Sequence, residues 1–299
     1  IGNELKMFEK TDASYLLHDH LEVHNEPYYF HQFMHKARAH TLQYLGETSL
    51  SSMYVGNLAE EAAKTLWQIA NDIVRVEQYM DFIKNRRFRC TLLVHDNVQL
   101  NRNLTPRVLE DLYITTGLRT DTDLGQPIPA NQQVVFKFPG GNATFSTGAG
   151  EVIETMKLLI KQGNKPIAVR ALLDAVKANM GGKFRKNSEE VILKDFLRLV
   201  FVDALGLYSS AGDFTTTVSK HPKAAPYARY QASSNNWVTN QRSEKINTDI
   251  FTRILLQYLD GENDVASICN KMLRHFDTNE LQIKDAGQPI TDKNEIRNR

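Results

Sequence analysis

The 299-residue chain is predicted to be α+β and helix-dominated: a helical region, then a winged-helix-like module, then a small C-terminal helical unit. Three observations point to it. Ala62, Leu66, Ile69, Ile73, Val76, Met80 and Ile83 recur at steps of three and four, the spacing of one helical face. Between residues 121 and 218 a hairpin signal, three closely spaced helices and a second hairpin follow one another. Near the end, two apolar stripes flank Asp260-Gly261-Glu262-Asn263-Asp264, a turn with helix-capping residues.

Composition narrows the function. Hydrophobic content of 41% and charged content of 24% are ordinary for a globular protein of two or three modest domains. The net charge of +1 provides no general basic field for nucleic acid or anionic membrane. No apolar run approaches the ~20 residues of a membrane span, and no signal peptide is read at the start. Cys90 and Cys269 match no redox or zinc spacing and read as reduced, buried thiols of a cytoplasmic protein.

The first helix follows Pro27, which suits a first helical turn because its missing N–H would be unpaired there. Phe30, Phe33, Met34, Ala37 and Thr41 make its apolar stripe. The surrounding stretch, Tyr15–Glu47, concentrates histidine and tyrosine as a pocket wall or a metal site would. His31 and His35 stand at i, i+4, and His18 and His20 lie upstream, so these four are the candidate metal ligands. Gln32 occupies the position where a zinc protease helix carries its glutamate, so that chemistry is missing. Pocket or interface histidines are the plainer expectation, and no metal is assigned.

A single long helix is expected over Leu58–Asn85, its stripe facing either a bundle core or a second copy. Arg86, Arg87 and Arg89 follow, where a helix C-terminus favours cations. Arg89 leads into a strand, Pro106–Glu110 read as a single turn, and Leu112–Thr116 as another strand. The polar stretch 120–132 is the best linker. Val134–Phe138 and Ala143–Ser146 flank Pro139-Gly140-Gly141-Asn142 as a hairpin. Thr147-Gly148-Ala149-Gly150-Glu151 resembles a nucleotide-binding turn only superficially, because its third glycine is absent and no βαβ unit surrounds it.

Helices are then expected over 148–161, Ile167–Asn179 and Ser188–Ala204, with Ser188 capping the third and Gly206 ending it. Leu207–Tyr208 and Phe214–Val218 form the second hairpin. The third helix is apolar on most faces, unlike a DNA-reading helix, so the module is read as buried or protein-binding. Residues 219–247 lack periodicity and read as a connector anchored by Tyr227, Tyr230 and Trp237, with Arg229, Arg242 and Glu244 forming a buried structural ion pair. Two short helices follow, and 284–299 read as a flexible tail.

Four strings of residues resemble a known family. They are the Tyr15-Leu16-x-His18-Asp19-x-Leu21-Glu22-x-x-Asn25-x-Pro27-x-Tyr29-Phe30-His31 pattern, EQYMDF with RRFRCTLL, PYARYQA, and WVTNQRSEKI. They are similar to the methyltransferase regulatory region and C-terminal domain of bacterial S-adenosylmethionine (SAM)-dependent methyltransferases, including rickettsial-type protein-lysine methyltransferases. The resemblance implies that 1–55 are the tail of, or junction with, an upstream methyltransferase core. It further implies a helical regulatory middle region at 56–120, the winged-helix-like domain at 121–218, connector and helix–turn–helix at 219–283, and the tail at 284–299. Tyr15, His18, Glu22, Asn25, Tyr29 and Phe30 would line the channel of the methyl acceptor.

On this resemblance the chain is expected to be a non-catalytic regulatory and substrate-recognition portion, inactive alone, of an enzyme that methylates protein lysine. No cofactor is expected on the chain itself, with SAM bound by the parent enzyme. The start IGNELKMF, without an initiator Met, fits a piece cut from downstream of such a core. The partners implied are that core, a protein substrate and a second copy, with no nucleic acid and no membrane. The alternatives are a stand-alone protein-interaction module and a histidine-cluster metal protein.

Overall fold

A computed structural model describes residue 8 and residues 13–129, 132–141, 143–212, 215, 217–278, 280–282, 284–285 and 288–289. The chain divides into two compact units, Ile1–Ser209 and Ser210–Arg299.

In the first unit, helix α1 (Phe30–Ala39) buries Phe30, Met34 and Ala37 of the expected stripe, whereas Phe33 is exposed and Thr41 lies beyond the helix at φ 56°. Strand β1 (Leu42–Glu47) comes next. The single helix expected over Leu58–Asn85 is instead two, α2 (Glu60–Ile69) and α3 (Ile73–Lys84). The break is local chemistry. Asp72 is extended, and its Oδ1 accepts the N–H groups of Val74 at 2.9 Å and Arg75 at 3.1 Å, so it starts a new helix. Leu66, Val76 and Met80 still share one cluster, but Ile69 and Ile83 of the expected stripe are exposed.

Strand β2 (Thr91–His95) pairs antiparallel with β1, with a register shift between Tyr44 and Gly46. A second cluster joins α1, β1 and α3 through Phe30, Met34, Tyr44 and Val74.

Beyond a 3-10 turn at Pro106–Asp111, strand β3 (Tyr113–Thr116) is followed by the expected hairpin, β4 (Val134–Lys137) with β5 (Thr144–Thr147). Gly140 takes φ 67° in its turn, and Asn142 lies outside the described residues. Helix α4 (Gly150–Gln162), strand β6 (Ile167–Ala168), helices α5 (Val169–Met180) and α6 (Ser188–Val200), and strand β7 (Leu205–Tyr208) complete the unit.

Here β7 pairs with β3, Tyr113 facing Tyr208 and Thr116 facing Leu205. Among the described residues β7 has no pairing with the expected 214–218 segment, of which Phe214 and Thr216 lie outside the described residues. The sheet order is β6-β3-β7, so its middle strand comes from upstream of all three helices. The main core, around Ile114, Phe136, Val152, Met156, Leu172 and Phe196, lies between these helices and strands.

Two helix-end expectations are corrected. Ser188 is the first residue of α6 rather than its cap, and its buried hydroxyl accepts the N–H of Arg185. Gly206 does not end α6; Asp203 makes the turn at φ 57°, and Gly206 lies in β7 against Thr115.

The second unit corrects the connector. Residues 219–247 contain helix α7 (Pro226–Ser234) and a hairpin of β8 (Trp237–Thr239) with β9 (Lys245–Asn247). Ala228, Ala232 and Val238 form their small core. Tyr230, expected as an anchor, is exposed, whereas Tyr227 donates to the carbonyl of Asn240 at 3.1 Å.

Helices α8 (Ile250–Tyr258) and α9 (Val265–Asp277) pack through Ile254, Ile268 and Met272. Asp249 and Asp264 cap them, accepting from Thr252 at 2.7 Å and Ser267 at 2.8 Å. Of the expected tail, β10 (Lys284–Asp285) pairs with β11 (Gln288–Pro289), and 290–299 lie outside the described residues.

Cys90 and Cys269 are both exposed rather than buried. Among the described residues no helix is long and apolar enough to cross a membrane.

Candidate functional site

The Tyr15–Glu47 stretch builds two layers around α1, an exposed polar-aromatic shelf and a buried ionic cluster beneath it. The shelf begins where the chain enters α1. Tyr29 is extended and its N–H donates to Oε1 of Gln32 at 3.0 Å, closing the helix start. The Tyr29 ring stacks on His31, centroids 5.9 Å apart and planes 11° apart, and meets the edge of Phe82 at 5.8 Å. His31 is fixed from below, its backbone N–H and Nδ1 lying 3.1 and 3.0 Å from Oε1 of buried Gln78. Tyr29 and Phe82 remain 56% and 59% exposed, a large aromatic area left open to solvent.

Alongside, Lys36 donates to the hydroxyl of Tyr28, which donates to Glu26. The hydrogen bond to Tyr28 raises the Lys36 ammonium above its ordinary value, so it stays charged.

Below the shelf, Arg89 is the hub. Its Nε donates to Asp81 at 3.0 Å, Nη1 to Glu47 at 2.5 Å, and Nη2 to the Glu77 carbonyl at 2.8 Å and carboxylate at 3.1 Å. Arg86 adds a bond to Glu77 at 3.0 Å and one to the Ser52 carbonyl at 2.5 Å. The hydroxyl of buried Tyr44 donates to Glu47 at 3.2 Å. This answers for the arginines that follow α3: two of the three bind carboxylates of β1 and α3, and neither turns outward toward a phosphate.

Three carboxylates face two guanidiniums, with the Lys84 ammonium beside them on the Ser52 carbonyl at 3.0 Å. Burial holds the Glu77 carboxyl above its ordinary range, although both arginines pull the other way. Its Oε1 has no hydrogen-bond partner. Burial works against the Arg89 guanidinium too, but Asp81, then Glu47 and Glu77, overcome it and keep it fully charged. Burial is also the main cause raising the Tyr44 phenol, so it remains a neutral donor. The cluster bolts β1, α1 and α3 together and fixes the shelf above it.

The six channel candidates divide. Tyr15, His18, Glu22, Asn25 and Tyr29 are exposed, and His18 Nδ1 lies 3.7 Å from Glu22. Phe30 turns inward, buried against Tyr44 and Arg89. Gln78, Phe82 and Arg89 complete the region and had no place among the six. The EQYMDF and RRFRC strings that contain them were visible, but only folding brings α3 beside α1.

Of the metal alternative, His31 is bound to Gln78, His35 is exposed, and the side chain of His20 lies outside the described residues. Among the described residues no group of three or more His, Cys, Asp or Glu is arranged to hold a metal.

The ion pair is corrected in part. Arg242 and Glu244 lie 3.0 Å apart, but the Glu244 side chain is 42% exposed. Arg229 stands apart from them, donating to the carbonyl of Gln257 at 3.1 Å.

Residues 12–95 match a family model described as a predicted methyltransferase regulatory domain, and residues 220–299 match the C-terminal winged helix domain of PKMT. The winged-helix match therefore falls on the second unit, over residues read from the sequence as connector, helix–turn–helix and tail. The uncharacterized protein RP789 of Rickettsia prowazekii (strain Madrid E) is 32% identical over 303 residues, 99% of this chain and 54% of the relative. RP027 of the same organism is 24% identical, over 71% of this chain and 89% of its own length. The chain thus spans about half of RP789.

The structure of PKMT2 from Rickettsia typhi matches with a TM-score of 0.85 and 31% identity, over 99% of this chain and 60% of that one. Its complex with AdoHcy matches equally, at 0.85 and 30% identity, over 99% and 59%.

These matches overturn the expectation of a merely non-catalytic portion. Practically the whole chain follows part of a PKMT that has been solved with AdoHcy. The expectation that the chain binds no cofactor conflicts in part with the same complex. The chain is similar to PKMT2 over 99% of its own length, with residues 12–95 matching the methyltransferase regulatory model and 220–299 the PKMT winged-helix model.

Proposed function

We propose that this chain serves SAM-dependent methyl transfer to protein, with lysine as the acceptor. The observation that carries the proposal is its agreement with PKMT2 over 99% of its length, including the AdoHcy complex. SAM supplies the methyl group.

Among the described residues the fit to SAM is incomplete. Every strand pairing is antiparallel, and Gly148 and Gly150 open a helix after a hairpin strand rather than a dinucleotide-type turn. The shelf around α1 is assigned to the acceptor side of the reaction.

Lysine must lose its proton and its water before it can attack a methyl group. A shelf of Tyr29, His31 and Phe82 offers aromatic faces to the alkyl stem and a polar edge to the amine, and the exposed Tyr15, His18, Glu22 and Asn25 are proposed as further acceptor contacts. The cluster beneath holds those rings in place, so orientation is set before the acceptor arrives. The partners in this reading are a SAM-binding core, the acceptor protein and a second copy.

The test is transfer of tritiated methyl from SAM by the protein in its full natural length, with mass spectrometry of the labelled product. Labelled lysine, lowered at least about tenfold by a Tyr29→Ala/Phe82→Ala double variant of unchanged stability, is expected. Absence of both methyl transfer and SAM binding by calorimetry would overturn the proposal.

A further inference from the structure

Away from the shelf, within the first unit, two cavities of about 1090 and 610 Å³ share Leu124, Gly125 and Lys157. They form one groove along α4, between that helix and the 119–129 segment. At ~1.5 Å per residue, the 13 residues of α4 span about 20 Å. That length holds about six residues of extended chain at ~3.3 Å each. Its floor is apolar, from Ile128, Ile153, Ile160 and Met180.

The charges along the groove are unequal in a telling way. Its three carboxylates already have partners within the fold. Asp123 accepts the N–H of Gly125 at 2.8 Å, Glu151 accepts the Ser188 hydroxyl at 3.4 Å, and Glu154 accepts the Asn179 amide at 2.9 Å. Lys157 lies 3.8 Å from Glu154. By contrast, the side chains of Arg119, Lys161, Lys183 and Arg185 have no hydrogen-bond or ion-pair partner among the described residues, and all four are exposed. Positive charge stands at both ends of the groove, with apolar surface between.

We propose that this groove binds an extended, acidic segment of a partner polypeptide. Its carboxylates would meet Arg119 and Lys161 at one end and Lys183 and Arg185 at the other, with apolar side chains on the floor between. Single-stranded nucleic acid fits less well, because no aromatic ring lines the groove for bases to stack on and three carboxylates would face the phosphates.

The probe is a fluorescein-labelled Glu-rich dodecapeptide with Val at every third position, titrated with the whole protein and read by anisotropy. Saturable binding is expected, weakened at least about tenfold by Lys183→Glu/Arg185→Glu and by high salt. The exposed control pair Lys165→Glu/Lys194→Glu, equal in charge change but outside the groove, should bind as the parent does.

No binding, or equal loss in both double variants, overturns the proposal. So does equal binding of an oligo(dT) dodecamer with the same sensitivity to Lys183→Glu/Arg185→Glu, which would assign the groove to nucleic acid. The measurement needs no SAM, so its failure is separable from failure of the methyl-transfer reading.

Discussion

The guanidinium of Arg89 lies 3.8 Å from the centre of the Phe30 ring while its edge is shared among Glu47, Glu77 and Asp81. One side chain thus joins the apolar core of α1 to a buried set of charges. Such sets contribute little net stability when complete and cost a great deal when broken. Arg89→Ala should lower unfolding stability by about 3–5 kcal/mol, because buried Glu47 would lose its guanidinium partner and Glu77 and Asp81 would keep only Arg86. Arg89→Lys should recover part of this loss and not all, since an ammonium cannot span the three carboxylates. Urea unfolding distinguishes the two, and an unaffected Arg89→Ala would refute the hub role.

Glu77 gives the cluster a pH signature. Burial raises its carboxyl above the ordinary value, so the folded protein keeps a proton that the unfolded chain has already lost. The folded state then binds more protons in that window. The stability contributed is full below the ordinary glutamate value of about 4.3 and falls as pH rises through the raised value. Glu77→Gln should flatten this decline in urea unfolding measured across a pH series. An unchanged slope would place the proton elsewhere.

Asp72 separates α2 from α3 by capping the second helix. Asp72→Ala should cost about 1 kcal/mol, the usual effect of losing such a cap. Thermal unfolding would show it, whereas Asp72→Asn should be nearly neutral, because the amide oxygen can accept the same two N–H groups.

Gly206 is required by its neighbour rather than by its backbone angles. A Cβ placed there would lie 2.8 Å from Oγ1 of Thr115 on the facing strand. Gly206→Ala should therefore destabilise by about 1–3 kcal/mol through overpacking. Combining it with Thr115→Ala, which removes the clashing hydroxyl, should recover much of the loss.

The sequence was most legible where one local signal decides the structure. The Pro139-Gly140-Gly141 turn between alternating strands, the helix cap at Asp264, and Phe30, Met34 and Ala37 of the first stripe appear where spacing placed them. It failed where signals competed. Seven apolar residues in register from Ala62 to Ile83 outweighed Asn71-Asp72, although aspartate before an apolar run is a helix-start signal. Helix α7 was hidden because its buried face is only Ala228 and Ala232, too small for a hydrophobic period to stand out.

At the site, the dense aromatic stretch was visible, yet the residues supporting it were not. Gln78 and Phe82 reach His31 and Tyr29 across about 50 residues of sequence, and nothing in local pattern encodes such a meeting.

The middle place of β3 in the order β6-β3-β7 limits how this protein can be cut. A piece beginning at residue 121 would retain α4, α5 and α6 but lose the strand to which β6 and β7 are both bonded. Two short strands would then present unpaired N–H and C=O groups on the sides that once faced β3. Edges of that kind recruit strands from other molecules. Such a fragment would self-associate or precipitate, whereas a single nick within 120–129 would leave both halves held together by the intact ladder.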